Sequence, residues 1–291
     1  MAKKNPETTP GYGIMRSEDP TADVPMAAFD FGDDAGKGFE NQTKEDFSIP
    51  FLTVLQGLSP QVQMEDSPYK VGMIYNTVTE RGVKGSEGLK IVPVTTEHKY
   101  VEYVPRDAGG GFVAVHDPNS ALVEDAKRRS TKYGKYKTPE GNELVETFAL
   151  YAIDADTLEG FVIPFSSTKI KIYKDWNSRI NLFNHRMYGI KSQPPMYAHV
   201  VRLTTEKENR TSGDSYNYRM NPVNPDRVVD GKLYPAILCS MIGPNDPRYQ
   251  AAKGFLEMIQ SGMAKADHAS HSAPAEDVGG TKEASGADIP F

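Results

Sequence analysis

The sequence predicts an α+β, mostly β body over residues 47–263, carrying two or three helices and flanked by two acidic segments. Short runs rich in β-branched and aromatic residues recur between Gly, Pro, Asn and Asp turns, as strands do. Few stretches show helical spacing, and 21 Pro with 25 Gly in 291 residues suit many turns and few long helices. The two ends lack apolar periodicity altogether.

Residues 1–46, rich in Pro, Gly, Asp and Thr, are expected to be disordered or loosely attached. Order is expected from Phe47. Ser48, Pro50 and Gly57 have the spacing of a short helix with a cap, a first-turn proline and a stop. The apolar set Phe51, Leu52, Val54, Leu55 and Leu58 suits that helix or a buried strand equally. Strands are expected over 89–96, 100–104 and 111–115. Between the last two, Arg106-Asp-Ala-Gly-Gly-Gly-Phe112 reads as a flexible hairpin turn or as a loop that lets a nucleic-acid backbone approach Arg106.

A short helix is expected over 119–130. Next, residues 144–153 and 160–165 form a hairpin around Asp154-Ala-Asp-Thr157. Tyr173, Trp176, Ile180, Phe183 and Met187, spaced 3, 4, 3 and 4, make one apolar helix stripe, with Ser166 or Ser167 as cap and Arg179 and Arg186 on one flank. A second hairpin pairs 197–205 with 215–220 across a polar loop at 206–214. Residues 233–242 read as a last strand. Asp246 and Pro247 start a final helix with a buried stripe of Tyr249, Ala252, Leu256, Ile259 and Met263.

The formal net charge of −6 argues against a nucleic-acid partner until it is divided along the chain. Residues 1–46 hold 10 acids and 5 bases, residues 264–291 hold 5 acids and 2 bases, and the body holds 24 acids and 26 bases. Acidic tails on a slightly basic body can compete with a polyanion for its groove. One cysteine, Cys239, precludes an intrachain disulfide and a cysteine zinc site, and fits a reducing cytoplasm. No run approaches the length of a membrane-spanning helix.

The most basic stretch is Lys127, Arg128, Arg129, Lys132, Lys135 and Lys137, with no acid between 127 and 137 and with Tyr133 and Tyr136 interleaved. Single strands are held by this combination: cations track phosphates, and rings offer a face to any base. It is also what a solvated loop looks like. Tyr216 and Tyr218, with Arg219 opposite, suit a stacking platform on a sheet or core packing. Trp176 is expected in the core, with a role in the groove as the alternative. Phosphate loops, nucleophile elbows and zinc patterns are absent, so neither an enzyme nor a cofactor is expected. Asp154 and Asp156 could be a metal pair, though turn chemistry explains both.

The sequence closes on Asp288-Ile-Pro-Phe291 after a stretch from about 264 to 287 rich in Ala, Ser, Gly, His and acids. With Phe291 last, Ile289 and Phe291 can fill a partner's pocket, Pro290 restricts the backbone, and Asp288 and the α-carboxylate can pair with basic groups at the rim. This ending resembles the C-terminal tip of bacterial single-stranded DNA-binding proteins, in which acids precede Ile-Pro-Phe. The resemblance departs in having Gly286 and Ala287, not further acids, before Asp288. It implies an OB-like barrel body, a disordered linker and a tip that recruits replication and repair enzymes. The segment Phe47-Ser-Ile-Pro-Phe-Leu-Thr-Val-Leu-Gln-Gly-Leu-Ser-Pro-Gln-Val62, with Gly72-Met-Ile-Tyr-Asn-Thr-Val78, resembles the opening of tailed-phage single-stranded DNA-binding proteins.

The resulting expectation is sequence-tolerant single-stranded DNA binding in phage replication, recombination and repair, in the cytoplasm of the bacterial host. Host or phage enzymes would be recruited through the tip, and self-association is left open. Two rivals are a protein that only mimics the tip and a metal-dependent nuclease built on Asp154 and Asp156.

Overall fold

The computed structural model describes residues 49–210 and 213–264, together with 33, 37, 38, 266 and 268. The chain divides into the units Met1–Gln42 and Thr43–Phe291, and nearly all of the first lies outside the described residues. The second unit is α+β and dominated by antiparallel sheet. Its strands are β1 (Leu52–Val54), β2 (Ile74–Asn76), β3 (Gly82–Val83), β4 (Leu89–Tyr103), β5 (Phe112–His116), β6 (Tyr136–Lys137), β7 (Glu143–Asp154), β8 (Gly160–Ser166), β9 (Val201–Arg210), β10 (Gly213–Pro222), β11 (Arg227–Val229) and β12 (Lys232–Tyr234). Its helices are α1 (Pro60–Gln63), α2 (Ala121–Arg129), α3 (Lys169–Asn181), α4 (Ala236–Cys239) and α5 (Pro247–Gln260). Of these, α2, α3 and α5 exceed a single turn.

The long strands β4 and β7 pair from Ile91–Asp154 to Tyr103–Glu143. Pro93 sits inside β4, where its missing N–H would break a ladder, and the register shifts there between Pro93 and Thr95. At one end the sheet runs β10-β9-β4-β7-β8; at the other, β5 and β6 flank the same central pair. The small sheet β1-β2-β3 touches β8 through a bridge between Phe51 and Val162.

The ladders do not close a barrel among the described residues. Across the gap between β1 and β10, side chains take over. The Gln56 amide donates to the Tyr216 carbonyl at 2.7 Å and accepts from the Tyr216 N–H at 2.9 Å, as a neighbouring strand would. The Tyr218 hydroxyl donates to the Leu52 carbonyl at 2.8 Å. Inside this enclosure lie Leu52, Ile74, Ile91, Leu150, Ile163, Phe165, Leu203 and Tyr218, capped by Tyr173, Trp176 and Ile180 of α3. On the other side of the sheet, α5 lays Ala252, Phe255, Leu256 and Ile259 against Val92, Val94, Ile153 and Val200.

Several expected elements take other forms. The segment after Ile49 chooses the strand over the helix, because Leu52 and Val54 both have core to fill; Ser48 lies outside the described residues. The strands expected over 89–96 and 100–104 are one strand. The stripe helix stops at Asn181, so Phe183 is only partly buried, Met187 is exposed, and Arg186 lies in a separate turn, not on a flank shared with Arg179. The polar loop expected at 206–214 is mostly strand, since β9 and β10 pair out to Arg210 and Gly213. Pro235 divides the last expected strand into β12 and α4. At the C-terminal side, Ala264 and His268 are buried, and the His268 ring lies 5.5 Å from Phe51.

His185 and His199 are buried with ring centroids 6.1 Å apart. Burial holds both below the ordinary value of 6.5, partly offset by the Phe183 and Met196 backbones.

Tyr218→Phe leaves the buried Leu52 carbonyl without its donor and should cost about 1–2 kcal/mol in urea unfolding. The histidines give a pH dependence. Their folded-state values lie below their unfolded ones, so their contribution is fully present above about pH 6.5 and is lost as the pH falls below it. Unfolding at about pH 7 and about pH 5 should show that loss, and His199→Gln should reduce it.

Candidate nucleic-acid interface

Alternation along β4 puts His98, Tyr100 and Glu102 on one face, and pairing with β7 sets Phe148, Glu146 and Leu144 directly opposite them. This face is where α2 packs, through Leu122, Val123 and Ala126, onto Tyr100, Tyr136 and Leu144. Beyond α2 the chain turns through Ser130, whose hydroxyl lies 2.8 and 2.7 Å from the carbonyls of Lys132 and Lys135 and donates its one proton to one or the other. That turn leaves Tyr133 82% exposed at the mouth of a groove of about 510 Å³. Tyr100, Lys127, Lys132, Tyr136, His98 and Glu146 line it.

The rings form a continuous run. Tyr133 meets Tyr136 at 6.3 Å, Tyr136 meets Tyr100 at 5.9 Å, and Tyr100 meets His98 at 5.7 Å. His98 stacks on Phe148 at 4.3 Å with planes 3° apart, and Phe148 stacks on Tyr173 of α3 at 5.1 Å. Cations sit over this run: Lys127 lies 4.5 Å from the Tyr100 ring centre and Lys174 lies 5.2 Å from that of Phe148. Burial, and then the nearby Glu146 carboxylate, push the Tyr100 hydroxyl well above its ordinary range, so it remains a donor. Lys132, Lys135 and Lys137 are exposed around the groove. Arg128 and Arg129 are exposed on the last turn of α2 and pair with Asp125 at 3.3 and 2.6 Å. Such surface pairs are weak enough to exchange for phosphate.

A family model described as Pam3 phage gp34-like protein matches residues 19–265. The chain belongs to this phage protein family. No curated protein and no solved structure matches it. Among the described residues, no helix of this phage protein is long and apolar enough to cross a membrane, and no three metal-ligating side chains are grouped.

The basic stretch with its two tyrosines is thus brought together, but other expected site residues lie elsewhere. Trp176 and Tyr218 are core residues, 4% and 1% exposed. Tyr216 shares their side of β10, and its ring is pressed onto Gly72. A Cβ at Gly72 would come within 2.5 Å of that ring, and its φ of +86° already disfavours side chains. Tyr218 thus takes the core alternative, and Tyr216 is partly buried. Arg219 is held by Glu206 at 2.8 Å and Glu208 at 3.4 Å. Arg179 is exposed beside a different cavity along β10, and Arg186 is exposed in its turn. Phe112 pairs with Tyr103, on the face opposite Tyr100, and Arg106 belongs to the adjoining short turn. Asp154 uses one oxygen to accept the N–H groups of Asp156 and Thr157 at 2.7 and 3.1 Å, while Asp156 pairs with Lys90 at 3.2 Å. The four residues of the Asp288-Ile-Pro-Phe291 ending lie outside the described residues.

His98 and Glu146 line the groove and Phe148 stacks on His98, although none of the three was singled out in the sequence; Tyr173, read there as part of the helix stripe, is a buried core residue. The period of two in His98/Tyr100 and Glu146/Phe148 was visible; the register that joins the pairs was not.

The geometry separates two neighbouring tyrosines. Tyr136→Ala should lower stability in urea by about 2–4 kcal/mol, because its ring is buried against α2. Tyr133→Ala should change stability by less than about 0.5 kcal/mol.

Proposed function

We propose that this phage protein binds single-stranded DNA with little sequence preference, in replication or recombination within the bacterial host. The reading is carried by the run of rings from Tyr133 to Phe148 with Lys127 and Lys174 poised over it. Bases would stack on the accessible ring faces. Lys127, Lys132, Lys135 and Lys137, with Arg128 and Arg129, would neutralise the phosphates. A duplex presents no free base faces to such a run, so the groove favours an unpaired strand. The slightly basic body between acidic flanks supports the same partner. The enclosure sealed by Gln56 and Tyr218 is compatible with an OB-like barrel whose last seam is made by side chains. In this reading, the Asp288-Ile-Pro-Phe291 ending recruits other replication or repair enzymes.

Binding of a labelled oligo-dT should exceed that of an equal-length duplex and weaken steeply with salt, the slope reporting the phosphates held. Tyr133→Ala should cost about 1–3 kcal/mol of affinity without loss of stability. Removing residues 289–291 should leave strand binding intact while abolishing capture of the recruited enzyme. If the intact protein ignores single strands even at low salt, the groove is a solvated surface feature and a tip-mimic function takes its place.

A further inference from the structure

The groove that suits a polyanion has a carboxylate in its floor. Glu146 is only 13% exposed at its side chain and lies on β7 directly opposite Tyr100 of β4, the strand that also presents His98. His98 Nε2 is 3.0 Å from its Oε1, and the Tyr100 hydroxyl is also hydrogen-bonded to it. An ionised carboxylate accepts about four hydrogen bonds. Two donors therefore leave acceptor capacity on a carboxylate that lines the groove. A negative charge there disfavours phosphate, so it does not serve the backbone. It is instead placed where the edge of a base would lie. A base stacked on the neighbouring rings turns its hydrogen-bonding edge towards the floor. Cytosine and adenine offer an exocyclic amino group, which donates to a carboxylate. Uracil and thymine offer a carbonyl in the same place and set oxygen against oxygen.

Resting on the reading that the groove holds single-stranded DNA, we propose that Glu146 makes one stacking position select bases with an amino group over thymine or uracil. Stacking along the rest of the run stays indifferent to sequence. Glu146 acts as a specificity residue held in place by His98 and Tyr100. Their donation fixes the carboxylate's orientation at the floor.

The test compares the full chain on labelled oligo-deoxycytidine and oligo-deoxyuridine strands of about 15 nucleotides, long enough to cover one binding site. These bases differ only at the 4-position and the adjoining ring nitrogen, and mildly alkaline buffer keeps cytosine unprotonated. The cytosine strand should bind about fivefold or more tightly, the effect of one charge-assisted hydrogen bond. Glu146→Gln keeps the shape but offers both a donor and an acceptor, and should bring the two strands within about twofold of each other. Equal affinity of the unaltered protein for both strands overturns the role of Glu146 and leaves the groove as a strand-binding site. So does a preference that survives Glu146→Gln. Failure to bind either strand overturns both readings together.

Discussion

Antiparallel pairing between β4 and β7 runs from Ile91–Asp154 to Tyr103–Glu143, and the surrounding layers are placed by it. The inner faces of these strands contribute Ile91 and Leu150 to the enclosure under α3, and their outer faces contribute Val92 and Ile153 to the contact with α5. Farther along, the same pair loses β9 and β8 as neighbours and gains β5 and β6. The ring-lined groove opens where that exchange occurs. A slip of one residue would send His98 and Tyr100 to the opposite face and bury Glu97 and Lys99 in their place. Packing on both sides of the sheet thus fixes the groove.

The second constraint is the seam. β1 and β10 form no ladder among the described residues, yet their main-chain groups lie where water is largely excluded, and buried amides without partners are costly. Gln56 answers this with a side-chain amide that donates and accepts toward one residue, and Tyr218 answers it with a hydroxyl. The rings of Tyr216 and Tyr218 are thereby committed to closing the fold. That commitment explains why an aromatic pair at strand spacing, which composition allows as a stacking platform, serves structure here. Of the rings at the groove, Tyr100 and Tyr136 are also buried under α2, and Tyr133 is the open one.

Net charge is a poor guide to the interface. The acids that make the chain negative overall are concentrated in its flanks, and within the body many carboxylates are already paired: Asp125 with arginines, Glu206 and Glu208 with Arg219, Asp156 with Lys90. What remains around Tyr133 is a group of exposed lysines. Glu146 is the exception, and its hydrogen bonds to His98 and Tyr100 give that exception a physical basis.

The sequence by itself determined the elements whose signals are local. The helix over Ala121–Arg129, the hairpin around Asp154, the Asp246–Pro247 start of α5 and the basic stretch with its two tyrosines all follow from residue type and spacing within a few positions. The α+β character follows from the same signals. The tertiary structure alone decided which aromatic residues are free. Trp176 and Tyr218 carry the same chemistry as Tyr133, and only their distance from solvent separates them. It also decided that His98 and Glu146 line the groove beside Tyr100 and Tyr133, because they come from strands remote in sequence and meet through register. Residues 48–57 fit a helix or a strand equally well by propensity, and the space inside the enclosure selected the strand. Local preference amounts to fractions of a kcal/mol per residue, about 0–0.7, whereas burying a side chain such as Leu52 contributes about 1.5–3 kcal/mol. Where the two compete, packing decides, and packing is a property of the whole chain.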